Sequence, residues 1–267
     1  MRSVTAVAAL FLLIAPAPRA QDDRHAALDK ILDTYVRDGY VYYRALKQSR
    51  ASLDRYVASL AAASVDGWPA ADQTAFWINS YNAIVLQTVV NGFPTGGRAP
   101  QYPAGSIRQI PGAFERTRHR VAGRDLTLDE IEELLIKQSG DARVVLALGR
   151  GAVSSGRLRS EAFSGRRLET QLNEAVRECA ARATCVKVDE SANTLSVVEL
   201  IGWRQAAFIA TFTPKDERWK NRSPIERAMA AMLTPVVYPG ERAWLEANTF
   251  RMTYHPFDWR LNDLADR

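Results

Sequence analysis

The segment from Phe76 to Val90 constrains the fold of this chain more than any other segment. Its side chains are apolar on almost every side of a helix, whereas a surface helix carries its apolar residues along one stripe. The sequence therefore predicts a central helix that is buried on all sides and surrounded by other elements. The sequence Asn91-Gly92-Phe93-Pro94 marks its end, because Gly favours helix C-termini and Pro cannot continue a helix.

The remaining helical and strand-like patterns follow one another without a regular βαβ order. Helical spacing is found in 24–64 and 168–181, and Thr127 forms a capping box with Glu130 at the start of another helix. Short strand-like segments lie between them, among them 118–121, 125–128 and 144–148. We predict an α+β fold: a single domain over 21–267, with a central buried helix, several peripheral helices and a small mixed or antiparallel sheet. Its N-terminal helical part spans 24–64 and its core 70–267.

Residues 1–20 have the pattern of a secretory signal peptide. Arg2 precedes an apolar segment from Val4 to Ala15, and the Pro- and Ala-rich sequence after it offers cleavage at Ala17 or Ala20. The apolar segment is shorter than the roughly 20 residues that span a bilayer. We predict a periplasmic or secreted protein whose mature chain has no transmembrane segment.

The charge of the chain argues against a nucleic-acid partner. The sequence has 35 Lys and Arg residues against 30 Asp and Glu residues, and they are scattered, whereas phosphate-backbone binding needs clustered positive charge. The acidic residues Asp129, Glu130, Glu132 and Glu133 crowd the start of one helix, where they suit the helix dipole better than paired catalysis.

Cys179 and Cys185 lie at the predicted end of a helix and the start of a strand. In an oxidising compartment this spacing favours a disulfide between them, with two separate thiols as the alternative. No His or further Cys stands nearby, so no metal site is predicted. The Gly-rich segment 151–158 carries Arg157 and Leu158 where a P-loop has Lys and Ser or Thr, so no nucleotide or other cofactor is predicted.

Two groups of polar residues are candidates for function. Asn79 and Asn82 share one face of the buried helix, and a buried amide without a partner costs about 1–3 kcal/mol. They either fasten the helix to neighbouring segments or line a pocket. In the Gly-, Ser- and Arg-rich loop after residue 148, Arg150, Arg157 and Arg159 are suited to hold an anion through forked hydrogen bonds. A solvated charged loop is the alternative.

Three segments of the chain resemble the DUF547 family, a family of domains of unknown function. They are the unbroken helix signature Phe76 to Ala83, the element Leu128, Asp129, Ile131 and Glu132, and the closing element Phe257, Asp258, Trp259, Leu261 and Asn262. The resemblance covers nearly the whole mature chain. It implies a candidate pocket made by the following residues: Trp77, Asn79, Tyr81, Asn82, Glu132 and Asp258.

The chain departs from the family in the element between these segments. The family His position is Val145, and the two family Cys positions are Arg150 and Ser155. A Val side chain cannot move a proton, and Arg supplies neither a thiolate nor a soft metal ligand. Ser155 needs a base beside it to attack a substrate.

This loss favours a non-catalytic protein, a pseudoenzyme that binds an anionic ligand or an unknown envelope partner. The alternative is a hydrolase or transferase that acts on envelope polymers or peptides. Its site would be rebuilt from the following residues: Asn79, Asn82, Glu132, Asp258 and either His255 or Ser155. That alternative requires these side chains to converge in one cleft. A purely structural or assembly role is a third interpretation.

Overall fold

The first elements of the fold are short and include one hairpin between helices. The computed structural model describes residues 23–97 and 99–266, so the predicted signal peptide, residues 1–20, lies outside the described residues. The elements are a 3₁₀ turn (Asp23–His25), α1 (Ala26–Tyr35), β1 (Val36–Arg37), β2 (Tyr40–Val41), α2 (Tyr43–Gln48), α3 (Ala51–Ser59) and a 3₁₀ turn (Leu60–Ala62). The β1–β2 hairpin turns at Asp38 and Gly39, which both have positive φ angles, as two-residue hairpin turns require.

Helix α4 (Ala70–Gly92) is the predicted central helix. Every side chain from Ala75 to Leu86 is buried, and the helix ends before Phe93. Helices α2 and α3 pack against it. The prediction of a helix buried on all sides is confirmed.

A second hairpin and two helices follow a 3₁₀ turn (Ile107–Gln109). Strands β3 (His119–Val121) and β4 (Arg124–Leu126) pair antiparallel, and α5 (Leu128–Ser139) packs against α4. The capping box at the start of α5 is confirmed, because the Thr127 N–H donates to Glu130 Oε2 at 2.8 Å and the Glu130 N–H donates to Thr127 Oγ1 at 3.2 Å.

The next element, α6 (Arg143–Ala147), corrects a prediction. The sequence predicted a strand over 144–148, whereas the structure has a short helix there. All four residues from Val144 to Ala147 are buried. A five-residue apolar segment buried on all sides has no periodicity that separates a helix from a strand.

The last part of the fold contains a mixed three-stranded sheet flanked by helices. Its elements are a 3₁₀ turn (Gly165–Arg167), α7 (Leu168–Ala180), β5 (Val186–Asp189), β6 (Thr194–Val198), α8 (Glu199–Trp203), α9 (Gln205–Phe212), α10 (Pro224–Leu233), α11 (Pro239–Ala247), β7 (Arg251–His255) and a 3₁₀ turn (Leu264–Asp266). The strand order is β5-β6-β7, with β5 antiparallel and β7 parallel to β6. The predicted α+β class is confirmed. Among the described residues, no helix has the length and apolarity to cross a bilayer.

Candidate functional site

The two buried asparagines of α4 hold the ends of the loop that carries the eroded family motif, residues 148–164, which we call the motif loop. Asn79 donates from Nδ2 to the Phe163 carbonyl at 2.8 Å and accepts from the Phe163 N–H at 2.9 Å. Asn82 donates to the Ala147 carbonyl at 3.1 Å and accepts from the Gly149 N–H at 2.8 Å. These contacts match the fastening role, because each amide donates one hydrogen bond to the backbone and accepts one from it.

Arg150, one of the two family Cys positions, forms a buried ion pair. Its Nη2 lies 2.6 Å from Glu132 Oε1, and Nη1 donates to the carbonyls of Val145 and Leu148, each at 3.3 Å. Arg204 Nε donates to the same Glu132 oxygen at 2.8 Å. Glu132 and Arg150 are 2% and 4% exposed. The guanidinium is therefore held by a carboxylate of the chain, where the sequence predicted an anion from solution.

The electrostatics of this cluster keep Glu132 ionised. Burial by itself raises the pKa of Glu132, but the charges of Arg150 and Arg204 outweigh it, so the pKa lies below its ordinary value. The Tyr81 hydroxyl lies in the field of the same charges and has no hydrogen-bond partner in the part of the chain that the structure describes. Burial raises the pKa of Tyr81, so the hydroxyl stays neutral. Val145 contributes only its carbonyl. Glu132 and Arg150 are closed to solvent, whereas the Arg204 side chain is 28% exposed.

Ser155, the other family Cys position, lies at an open cavity of about 270 Å³, which we call the Ser155 pocket. Four segments wall it: the β1–β2 turn, the motif loop, the turn between α7 and β5, and the segment that carries Asn262. The lining residues that matter for its chemistry are Asp38, Tyr40, Ser155, Arg157, Arg182, Thr184 and Asn262. Ser155 Oγ donates to the Ala152 carbonyl at 2.6 Å.

A disulfide closes the turn that forms one wall of the Ser155 pocket. The structure contains the Cys179–Cys185 bond, with a sequence separation of 6. Arg182 and Thr184 lie inside this covalent loop and face the pocket. His255 on β7 lies behind the turn, with Nε2 3.4 Å from the Thr184 carbonyl oxygen and Nδ1 3.0 Å from Ser196 Oγ.

Arg182 is the functional candidate that the sequence analysis missed. Its Nε donates to the Glu178 carbonyl at 3.2 Å and its Nη2 donates to the Ser155 carbonyl at 3.1 Å. Among residues 23–97 and 99–266 it makes no ion pair. Burial lowers the pKa of Arg182, and the neighbouring Arg157 charge lowers it further against the opposing effect of Glu178. The one signal in the sequence was its place between the two cysteines.

The other arginines of the motif loop already hold carboxylates. Arg157 pairs with Glu178 at 2.8 Å and with Asp38 at 3.0 Å. Arg159 pairs with three carboxylates: Glu161 at 2.9 Å, Glu174 at 2.5 Å and Glu178 at 3.1 Å. Of the three predicted anion-binding residues, Arg157 alone lines the Ser155 pocket.

The predicted pocket residues do not converge in one open cleft. Five of the six are buried within α4 and α5: Trp77, Asn79, Tyr81, Asn82 and Glu132. Asp258 pairs with Arg260 at 2.5 Å, and its carbonyl accepts from the Ser154 N–H at 3.2 Å. Within the described ranges, no group of three His, Cys, Asp or Glu side chains is placed to hold a metal ion.

Comparison with known proteins relates one segment of this chain to a protein family. The DUF547 family model matches residues 65–179. This segment contains the buried helix α4, the acidic start of α5 and the asparagine contacts at both ends of the motif loop. This family is described as a protein of unknown function, and the matched segment covers less than half of the chain. No curated protein and no solved structure matches the chain.

Proposed function

We propose that this protein is an exported, non-catalytic binding protein that holds a small carboxylate or phosphate ligand in the Ser155 pocket. The observation that carries the proposal is the Arg182 guanidinium, which lines the pocket and makes no ion pair in the described part of the chain. Guanidinium groups recognise carboxylates and phosphates through paired, charge-assisted hydrogen bonds.

The surroundings of Arg182 favour an anion over a neutral ligand. A partly buried charge that makes no direct ion pair is costly, and an anion in the pocket supplies a direct partner. Two of the five N–H donors of Arg182 are used by the Glu178 and Ser155 carbonyls, which leaves donors for a ligand. Thr184 and Arg157 line the same cavity.

The chemistry around Ser155 supports binding without turnover. The Ser155 hydroxyl donates a hydrogen bond to the Ala152 carbonyl, and no His or carboxylate of the described residues hydrogen-bonds to it. A serine nucleophile needs such a base. The alternative, a hydrolase or transferase acting on envelope polymers or peptides, also needs a carboxylate or imidazole within reach of a substrate. Asp258, one of the residues of that rebuilt site, is paired with Arg260 at 2.5 Å.

The test is isothermal titration of the mature chain with inorganic phosphate and with succinate, at low and at high NaCl concentration. We expect one of these probes to bind, with an affinity that falls as salt rises. Arg182→Met should weaken binding by about tenfold or more, since a hydrogen bond to a charged group contributes about 1.5–3 kcal/mol.

Arg177→Met is the matched control, because Arg177 lies on the same helix α7 but is exposed to solvent. It should bind as the unmodified protein does. Equal affinities for Arg182→Met and the unmodified protein would refute the proposal. So would the failure of both probes to bind at millimolar concentration.

Export is a separate part of the proposal, and it rests on the pattern of residues 1–20. Expression of the full sequence in a Gram-negative host followed by mass spectrometry of the periplasmic fraction tests it. We expect a mature chain that starts directly after Ala17 or Ala20. A full-length chain that stays in the cytoplasm would contradict this part alone.

A further inference from the structure

A cluster of aromatic side chains lies apart from the Ser155 pocket, and we call it the aromatic platform. It consists of Trp203, Phe257 and Trp259. The Trp203 ring lies nearly parallel to the Trp259 ring, with centroids 6.0 Å apart and an interplanar angle of 18°. Phe257 contacts both, at 5.1 Å and 4.4 Å between centroids. Trp203 is 48% exposed, so the platform reaches solvent through this ring.

The rings of the platform are held in place by further contacts behind them. Trp259 meets the rings of Phe114 and Tyr102 edge-on, with centroids 6.1 Å and 5.8 Å away. The Arg108 guanidinium lies 4.7 Å from the centroids of both the Trp259 and Phe114 rings. A surface held this way is preorganised, and preorganised rings lose little entropy when a ligand stacks on them.

Polar groups with unused hydrogen-bonding capacity border the platform. Asp129 is half-buried, and its N–H donates to the Phe114 carbonyl at 3.1 Å. Its carboxylate makes no hydrogen bond or ion pair in the described part of the chain. Arg204 follows Trp203 directly and uses Nε on Glu132, which leaves its terminal nitrogens as donors. Burial raises the pKa of Asp129, and the nearby charges of Glu132 and Glu115 raise it further.

Charges of both signs surround the platform. Three guanidiniums, from Arg108, Arg150 and Arg204, lie near four carboxylates, from Glu115, Glu132, Asp129 and Glu199. The two signs largely cancel, so a charged ligand gains little long-range attraction here. An uncharged ligand that both donates and accepts hydrogen bonds fits this border.

We propose that the aromatic platform binds a neutral carbohydrate, with one pyranose ring stacked on the exposed face of Trp203 and its hydroxyl groups bonded to Asp129 and Arg204. A pyranose has an apolar face of C–H groups, which packs on an aromatic ring, and a rim of hydroxyls that donate and accept. A carboxylate accepts from such hydroxyls and a guanidinium donates to them. Ligand sites commonly combine an aromatic surface with a few convergent polar groups.

The experiment titrates the mature chain with cellohexaose and with chitohexaose, which are both uncharged, and follows tryptophan fluorescence. We expect at least one of them to bind, with an affinity that does not change between low and high salt. Trp203→Ala should weaken that binding by about tenfold or more, by analogy with the loss of an aromatic stacking partner. Trp203→Tyr should retain most of it, which excludes misfolding as the cause. Asp129→Asn should weaken it as well.

Two variants serve as controls. Tyr238→Ala removes an aromatic ring that is 79% exposed and has no ring contact with the platform. It should bind both sugars as the unmodified protein does. Arg182→Met should also bind them normally, so this proposal and the anion proposal can fail separately. The carbohydrate proposal is overturned if neither sugar binds the unmodified protein, or if Trp203→Ala binds as tightly.

Discussion

Replacement of Glu132 by Gln tests how much of the stability depends on the buried charge cluster. Glu132 is 2% exposed and Arg150 is 4% exposed, and their ion pair measures 2.6 Å. The replacement keeps the shape of the side chain and removes its charge, so the buried Arg150 guanidinium loses its counter-charge. Removing one partner of a buried pair costs about 3–5 kcal/mol. We expect the free energy of unfolding to fall by about 3 kcal/mol, the low end of this range, because a Gln carbonyl still accepts hydrogen bonds.

The assay is urea denaturation at neutral pH, followed by tryptophan fluorescence. The expected loss is a large share of the about 5–15 kcal/mol by which a protein of this kind is stable. Glu133→Gln is the matched control, since Glu133 is the next residue of α5 and is exposed. It should change the free energy of unfolding by no more than about 0.5 kcal/mol. A loss below about 1 kcal/mol for Glu132→Gln would show that Arg150 does not depend on this carboxylate.

The same variant has a pH dependence of known sign. The pKa of Glu132 in the folded protein is lowered, because the two guanidinium charges outweigh the effect of burial. Its contribution to stability is therefore present above the unfolded-state pKa of about 4.3 and is lost as the pH falls through the folded-state pKa. The stability difference between the unmodified protein and Glu132→Gln should shrink below about pH 4.

Three further substitutions probe the frame around the candidate site by urea denaturation. Replacing both Cys179 and Cys185 by Ala opens a small covalent loop and should lower the free energy of unfolding by about 2 kcal/mol. An unchanged free energy of unfolding would show that the turn is stable without the disulfide. Asn79→Ala leaves the buried N–H and carbonyl of Phe163 unpaired and should cost about 2–4 kcal/mol; a cost near zero would contradict the fastening role. Gly156→Ala places a Cβ 2.2 Å from the Leu146 carbonyl oxygen and should cost about 2 kcal/mol or more, whereas Gly96→Ala, which meets no neighbour, should be neutral.

Local patterns in the sequence were enough to predict the frame of the fold. The burial of α4 follows from a segment that is apolar on all sides, and the start of α5 follows from the spacing of Thr127 and Glu130. The helix α6 could not be predicted, since an apolar segment of five residues carries no period. The β1–β2 hairpin could not be predicted either, because its strands have two residues each.

The site was harder to predict because its parts are distant in the sequence. Arg150 was predicted to hold an anion or to lie in a solvated loop, and its actual partner Glu132 lies 18 residues away on helix α5. Arg182 stands in no family motif, and it reaches the pocket only because the disulfide turn folds against the motif loop. Spacing reveals partners one turn away on a helix, but it does not reveal contacts made by the packing of separate elements.

Asn262 connects the first hairpin of the fold to a segment that is synthesised much later. Its Oδ1 accepts from the Tyr43 hydroxyl at 2.8 Å, and its Nδ2 donates to the Gly39 carbonyl at 2.7 Å across a separation of 223 residues. The first hairpin therefore leaves the ribosome long before its partner does. Contacts this far apart in sequence form late and slowly. Both the Ser155 pocket and the aromatic platform include residues of the segment 257–262, so neither can bind until the chain has been made through residue 262 and has folded.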